Sequence, residues 1–119
     1  MTAAARRRAY RFGRIAEALC VVSLRLRGYR VLARRFDAGV GEIDIIARRG
    51  GVLAVIEVKA RSDDLAETPL GARQRARIER AAQAFLGRRP QLAALDLRFD
   101  LMTVQPWRPP RHLTDAWRP

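Results

Sequence analysis

Two strand-like segments meet at Gly50-Gly51, and this turn restricts the fold more than any other feature of the sequence. Gly-Gly between two such segments is a strong signal for a two-residue β-hairpin turn. The flanking residues 42–48 and 52–60 are rich in Ile and Val, which favour strands. Directly opposed partners in this hairpin have residue numbers that sum to 101, as in 49 with 52. The sequence therefore predicts an antiparallel pair of strands with a register fixed by the turn.

This register gathers four charged side chains on one face of the hairpin. Asp44 lies opposite Glu57 and Glu42 lies opposite Lys59, since side chains alternate across a strand. Two facing carboxylates repel each other, and a hard divalent cation offsets that repulsion. The arrangement predicts a Mg²⁺ (or Mn²⁺) site at Asp44 and Glu57, with Lys59 placed to hold a water molecule. The competing interpretation pairs each acid with a surface arginine, and a one-residue slip would move Asp44 to the other face.

The charge of the chain points to a polyanionic partner. Lys plus Arg total 24 against 12 for Asp plus Glu, which gives a net charge of +12. Nucleic acid is the first candidate, with an anionic membrane or an acidic protein as alternatives. Lys59 is the single lysine among the basic residues. Because arginine fills every other basic position, a role specific to lysine is expected at residue 59.

Length and composition indicate one globular domain. A chain of 119 residues has the size of one domain, and its apolar runs are far shorter than the ~20 residues of a membrane span. Neither a membrane partner nor a secretory signal is expected. One cysteine, Cys20, excludes an internal disulfide framework and a multi-cysteine zinc site, so a reducing cytoplasmic setting fits best. Cys20 itself is expected to be a small buried hydrophobic residue.

The predicted element order is αβββαβ, which favours an α/β fold with a mixed sheet flanked by helices. Helices are predicted over residues 9–27 and 73–86, and strands over 29–36, 42–48, 52–60 and 95–104. A polar loop is expected over 61–71. Residues 1–105 form the predicted domain, and 106–119 form a basic, proline-containing tail that packs on it or extends from it. That tail is expected to be irregular, with His112 in contact with solvent.

The two helices show apolar stripes at helical spacing. The first stripe, which is expected to be buried, consists of Phe12, Ile15, Leu19, Val22 and Leu26. The second consists of Ile78, Ala81, Ala82, Phe85 and Leu86.

The hairpin residues resemble a known nuclease signature. Asp44 followed by Glu57-Val58-Lys59 at the end of an apolar strand is similar to the PD-(D/E)xK pattern. More closely, residues 41–44 and 55–59 resemble the YraN-like family of small uncharacterised bacterial proteins. That family belongs to the Holliday-junction-resolvase-like branch of the restriction-endonuclease-like fold. The resemblance extends from Gly13 to about Trp117 and includes Gly28-Tyr29, Arg98-Phe99-Asp100 and residues 112–117.

The resemblance implies roles for matching positions. Asp44 and Glu57 would bind Mg²⁺ with the carbonyl of Val58, and Lys59 would orient or activate the attacking water. Ala16-Glu17 stands where the family usually has Gly-Glu, so Glu17 would be an outer carboxylate of the site. The alternative for Glu17 is an exposed side chain paired with an arginine. Gln74 matches a second-helix position by spacing, with ordinary solvent exposure as its alternative.

Two groups of arginines are candidates for contacts with nucleic acid. Their alternative is a solvated helix face, and any phosphate contacts they made would give affinity without sequence readout. The candidates are Arg6, Arg7, Arg8, Arg11, Arg73, Arg75 and Arg77.

The combined features predict a restriction-endonuclease-like domain that hydrolyses DNA phosphodiester bonds with Mg²⁺, including bonds at branched DNA. The first alternative is a nucleic-acid-binding module with little or no catalysis. The second is a basic protein-interaction factor, such as a ribosome-associated protein, with structural acids on its hairpin. A resolvase-like function favours a homodimer, because symmetric cuts need two sites.

Overall fold

The computed structural model describes residues 2–61 and 70–119, and within them the chain has a mixed α/β fold with one sheet between two helices. The sheet has five strands in the order β1-β2-β3-β4-β5, and all neighbours are antiparallel except the parallel pair β3 and β4. The elements are α1 (Ala3–Leu26), β1 (Arg30–Asp37), β2 (Glu42–Arg49), β3 (Val52–Ala60), α2 (Ala72–Arg88), a short 3-10 helix (Pro90–Leu92), β4 (Asp96–Val104) and β5 (Arg111–Trp117).

The predicted hairpin register is confirmed near the turn. Backbone pairing runs from Arg49 opposite Val52 to Ile45 opposite Ile56, so partner numbers sum to 101. Among the described residues the ladder stops at that last pair. The predicted backbone pairs of Asp44 with Glu57 and Glu42 with Lys59 do not form, because strand β2 turns over at Asp44.

Helix α1 packs on the sheet through a different face from the predicted one. Four of the five residues in its predicted apolar stripe are exposed: Ile15, Leu19, Val22 and Leu26. The buried face consists of Ala16, Glu17, Cys20, Val21 and Leu24. Small Ala16 and Cys20 let the helix backbone approach a sheet surface already filled by Ile45, Ile56 and Met102. The expectation that Cys20 is buried is confirmed, and burial raises the pKa of its thiol to about 12.

Helix α1 also starts earlier than predicted. Thr2 caps it, and its Oγ1 accepts a hydrogen bond from the N–H of Ala5 at 3.0 Å. The arginines at positions 6 to 8 therefore lie on the helix and do not form an arm in front of it.

Helix α2 covers the opposite face of the sheet as predicted. Its buried residues Ile78, Ala81, Ala82 and Phe85 pack in one cluster with Ile46, Leu53 and Val55 of the hairpin. The two helices therefore enclose the sheet, and residues of one strand pack alternately against α1 and α2.

The C-terminal tail is not irregular, contrary to the prediction. Residues Arg111–Trp117 form β5, which pairs with β4 at the edge of the sheet. Trp117 stacks on Phe99 with ring centroids 5.2 Å apart, and its Nε1 donates to Glu79 Oε2 at 2.9 Å. This burial of aromatic surface holds the tail to the domain. Most of the loop predicted over 61–71 lies outside the described residues.

The two helices are not membrane-spanning candidates. Neither is long and apolar enough to cross a bilayer, within the residues that the structure describes.

Candidate active site

Strand β2 changes which face of the sheet its side chains point to at Asp44, and this is where the two hairpin strands separate. Ile43 and Ile46 both pack against α2, whereas Ile45 packs against α1. Strict alternation would put Ile43 with Ile45, so the strand turns over at Asp44. Beyond the last backbone pair, the N–H of Val58 donates to Asp44 Oδ2 at 2.8 Å. The side chain of Asp44 thus replaces the next hydrogen bond between the strands.

Asp44 and Glu57 interact strongly with each other. Burial, a hydrogen bond with Asp44 and the charge of Asp44 together raise the pKa of Glu57 from 4.5 to about 9, while the charge of Lys59 acts in the opposite direction. The two carboxylates therefore retain a proton at neutral pH when no cation is present. This donor set of two hard oxygen groups with a shared proton fits a divalent cation, which would replace the proton.

The two acids open into a cleft of about 580 Å³ between the hairpin and the start of α2. We call it the carboxylate cleft, and its lining residues are Glu42, Asp44, Glu57, Gly71, Arg73, Gln74, Arg77 and Ile78. The structure therefore brings Asp44, Glu57 and Gln74 together. Gly71, which lines this cleft, is the N-cap residue of α2 and provides no side-chain cap. The positive end of the helix dipole therefore lies at this cleft. One wall is acidic and the other is basic.

Gly41 sets the distance between the walls. It is buried in the β1–β2 loop, and a Cβ atom built on it would overlap the backbone carbonyl of Arg77. A residue without a side chain is therefore required for this loop to pack against α2. The requirement accounts for glycine at the first position of the motif Gly41-Glu42-Ile43-Asp44.

Glu17 lies in a neighbouring cleft of about 330 Å³ against α1. We call it the helix cleft, and its lining residues are Tyr10, Gly13, Arg14, Glu17, Arg35, Glu42, Asp44, Val58 and Ala60. Asp44 and Glu42 border both clefts. The carboxylate of Glu17 is buried but is paired, accepting from Arg34 Nε at 3.2 Å and Arg35 Nε at 3.0 Å. Among the described residues, no three His, Cys, Asp or Glu side chains are grouped closely enough to hold a metal ion.

Comparisons of the sequence with known proteins identify a family. The sequence profile of uncharacterised protein family UPF0102 matches residues 16–104. The chain belongs to this family. Proteins of UPF0102 from three bacteria are similar over most of their length. The one from Parvibaculum lavamentivorans is 58% identical over 93% of this chain and 84% of its own. Those from Paramagnetospirillum magneticum and Methylorubrum extorquens are 51% and 53% identical, covering 92% and 95% of this chain and 89% and 90% of their own.

The match to UPF0102 includes the candidate catalytic positions and excludes part of the basic N-terminus. Glu17, Asp44, Glu57, Lys59 and Gln74 all lie within residues 16–104. The first helical arginines lie before residue 16, so the family profile does not extend to them.

The candidate arginines divide into those at the carboxylate cleft and those away from it. Arg73 and Arg77 line that cleft, whereas Arg75 is half-buried elsewhere on α2. Arg6, Arg7, Arg8 and Arg11 are exposed on α1 and line neither of the clefts defined above. Half-buried Lys59 borders neither cleft, and it lies on the same strand as Glu57.

A buried polar cluster on the α1 face was not predicted. Asp100 is fully buried, and its carboxylate accepts from Arg98 Nε at 2.9 Å and His112 Nε2 at 2.8 Å. Burial alone would raise the pKa of Asp100, but the hydrogen bonds from His112, Arg98 and the N–H of Asp115 lower it overall. The alternation of Arg98 and Asp100 in β4 was the available signal, since it puts both on one face.

The cluster also corrects the expectation that His112 contacts solvent. Its side chain is 5% exposed, and Arg27 donates to its Nδ1 at 3.0 Å. Since arginine is only a donor, Nδ1 accepts and Nε2 carries the proton that is donated to Asp100. Arg98 also donates to the hydroxyl of Tyr29 at 2.7 Å. Every charged group here has a partner, so the cluster joins β4 and β5 to the end of α1.

Proposed function

We propose that this chain is a Mg²⁺-dependent endonuclease of the PD-(D/E)xK type that hydrolyses DNA phosphodiester bonds, branched DNA included. The observation that carries the proposal is the Asp44–Glu57 carboxylate pair in a cleft whose opposite wall is basic. A half-buried pair of acids that must retain a proton is costly to fold. A cation site accounts for that cost, and the facing arginines account for a polyanionic substrate.

The residues around the pair have separate tasks in this proposal. Asp44, fixed by the N–H of Val58, and Glu57 would hold the cation together with the Val58 carbonyl. A bound Mg²⁺ would supply positive charge against the phosphate and a lower pKa for a water molecule. Lys59 borders neither cleft, but its charge acts on the carboxyl of Glu57, and from there it would orient the attacking water with a compact positive charge. Arg73 and Arg77 bind backbone phosphates, and Gln74 donates a hydrogen bond to the substrate.

A restriction-endonuclease-like core belongs to the same proposal. The order α1, β1-β2-β3, α2 and β4, with helices on both faces of a mixed sheet, supports it. The fifth strand would then be an addition at the edge of that core.

The test is a cleavage assay on linear, flapped and four-way DNA with Mg²⁺ or Mn²⁺. Wild type is expected to cleave, and Glu57→Gln is expected to bind the same DNA without cleaving it. Glu42→Gln is the matched control, because Glu42 lines the same cleft and is exposed. Equal cleavage by wild type and Glu57→Gln would remove the reaction from this pair.

A nucleic-acid-binding module without turnover is the second candidate. Among the described residues, no three acid or histidine side chains are grouped closely enough to hold a metal ion, and this favours the second candidate. In that case DNA binding would need no Mg²⁺ and no cleavage would follow. Arg73→Gln with Arg77→Gln should lower the slope of log affinity against log salt by about two units, about one for each phosphate contact. Absence of DNA binding at low salt would instead support a protein partner.

A further inference from the structure

The helix cleft, as defined above, adjoins the carboxylate cleft and has a basic wall of its own. Asp44 and Glu42 separate the two clefts, and Arg14 and Arg35 lie on the far side. A strand of nucleic acid that passes Asp44 would therefore meet positive charge in both directions. The arginines of the helix cleft are not needed to hold the metal or the water.

The backbone of β1 is bent to bring Arg35 into the helix cleft. Arg35 has a φ of 51°, in the left-handed region that non-glycine residues rarely occupy. In a regular strand, Arg34 and Arg35 would point to opposite faces of the sheet. Here both side chains reach Glu17 on α1. The left-handed conformation costs about 1–2 kcal/mol, and such strain is concentrated at functional sites.

Glu17 holds Arg35 while leaving part of its guanidinium available. The Glu17 side chain is 7% exposed and accepts through its two oxygens from the Nε atoms of Arg34 and Arg35. The Arg35 side chain is 35% exposed at the cleft. Arg35 also hydrogen-bonds to the Tyr10 hydroxyl. Since arginine has five N–H donors, these bonds to Glu17 and Tyr10 still leave N–H groups for another acceptor. A guanidinium in this state suits a phosphate, which it can bind through two parallel hydrogen bonds.

Tyr10 completes the donor set. Its hydroxyl oxygen accepts from Arg14 Nη1 at 3.0 Å and also from Arg35, so its own proton is available to a further acceptor. Arg14 and Tyr10 are both exposed on α1 at the mouth of the cleft. Two guanidinium groups and one hydroxyl therefore converge beside Asp44.

We propose that the helix cleft binds a backbone phosphate next to the one that is cleaved. Arg35 and Arg14 are its ligands, Tyr10 is a further donor, and Glu17 is a positioning residue that acts through Arg35. This inference rests on the proposed function for the identity of the ligand. It also gives Glu17 a role in substrate binding in place of the outer-carboxylate role that the resemblance implies.

The test measures binding without metal, so it does not depend on catalysis. Thymidine 3′,5′-bisphosphate is titrated in EDTA into wild type, Arg35→Gln, Arg14→Gln and the control Arg80→Gln, an exposed arginine outside both clefts. The first two changes should weaken binding about tenfold, the effect of losing a hydrogen bond between charged groups. Arg80→Gln should change it by less than about twofold. An equal loss in all three would refute the subsite and leave only the long-range charge of the protein.

Glu17→Gln separates positioning from simple charge. Removing this acid makes the cleft more positive, so charge alone predicts tighter binding of the bisphosphate. A positioning role predicts weaker binding, because Arg35 is no longer held. Unchanged or tighter binding by Glu17→Gln would overturn the positioning role.

Arg35→Gly guards against loss of folding as the explanation. Glycine accepts the positive φ without strain, so the variant should melt at or above the temperature of Arg35→Ala while binding the bisphosphate as weakly. Inorganic phosphate as a second titrant identifies the source, since a backbone subsite should prefer the bisphosphate. A cleft that prefers inorganic phosphate would contradict the proposal.

The two proposals fail in different ways. Bisphosphate binding that depends on Arg35, in a protein that cleaves no DNA, would support the subsite and refute the nuclease. DNA cleavage with the same KM and kcat in wild type and Arg35→Gln would support the nuclease and refute the subsite.

Discussion

Glu57→Gln is expected to remove most of the pH dependence of folding between about pH 5 and about pH 9 in the metal-free protein. In the folded state, burial and Asp44 raise the pKa of Glu57 from 4.5 to about 9. Between these values the folded protein holds a proton that the unfolded chain has released. The contribution of Glu57 to the free energy of unfolding is therefore fully present below about pH 4.5 and is lost as the pH rises toward about 9.

The size of the effect follows from one proton. A difference of one bound proton changes the free energy of unfolding by about 1.4 kcal/mol per pH unit. From about pH 6 to about pH 8, wild type should lose up to about 3 kcal/mol relative to Glu57→Gln. For a domain of this length, the Tm of wild type should therefore fall by roughly 10 °C more than the Tm of Glu57→Gln over this pH range. Above neutral pH, the variant should be the more stable protein.

The assay is thermal unfolding at a series of pH values, first in EDTA and then with saturating Mg²⁺. Glu42→Gln is the control and should keep the wild-type slope, because Glu42 is exposed in the same cleft. A cation at the acid pair displaces the proton, so Mg²⁺ should stabilise wild type increasingly as the pH rises and leave Glu57→Gln unaffected. The same pH slope for wild type and Glu57→Gln in EDTA would refute the shared proton.

Three further changes test the packing and the lone lysine. Gly41→Ala should lower the free energy of unfolding by about 1–3 kcal/mol, because the added Cβ forces the β1–β2 loop away from α2. The control is Gly87→Ala, which lies in α2 with open space around it and should stabilise the protein by up to about 1 kcal/mol. Denaturant unfolding measures both. Leu24→Ala should lower the free energy of unfolding by about 2–5 kcal/mol, because Leu24 is fully buried. Leu19→Ala, on the exposed side of α1, should lower it by less than about 1 kcal/mol. Similar losses in the two variants would mean that α1 packs through its outer stripe. Lys59→Arg should keep the fold and DNA affinity but lower single-turnover cleavage at least about tenfold, and undiminished cleavage would show that no property of lysine is used there.

Local chemistry was enough to predict the hairpin and helix α2. The Gly50-Gly51 turn leaves one register, and the apolar spacing of Ile78 to Phe85 has one helical interpretation. In both elements, turn chemistry and side-chain pattern agree about which face is buried. The closeness of Asp44 and Glu57 follows from the same register, although the strands separate before their backbones pair.

Tertiary packing determined the two features that the sequence pattern predicted wrongly, the buried face of α1 and the strand β5. Helix α1 has apolar residues on two faces, and the larger side chains of Leu19 and Val22 made the outer face the stronger signal. The sheet selects the inner face because Ala16 and Cys20 let the helix lie closer. Strand β5 was missed because residues 106–110 include three prolines, and pairing with β4 is not visible in the local sequence.

No feature of the local sequence predicted that the side chains of β1 and β2 change faces of the sheet near Arg35 and Asp44. Arg34 pairs with Ile45 and Phe36 with Ile43, which puts Arg35 opposite Asp44. Each strand turns over at that point, so an arginine with a left-handed backbone stands beside the acid of the site. Neither residue type predicts such a conformation, and only the combined geometry of two strands and a helix produces it.

The hydrogen bond from the N–H of Val58 to Asp44 Oδ2 makes one backbone amide a spectroscopic reporter for the site. Most amides in the middle of a sheet respond to a neighbouring carbonyl whose charge never changes. This amide donates to a carboxylate, and a cation bound at the proposed site would draw charge away from that carboxylate. The chemical shift and the hydrogen-exchange rate of the Val58 amide proton should therefore report whether the proposed cation site is occupied, without a substrate. The same measurement applies to any member of UPF0102 with an aspartate and a non-proline residue at these two positions.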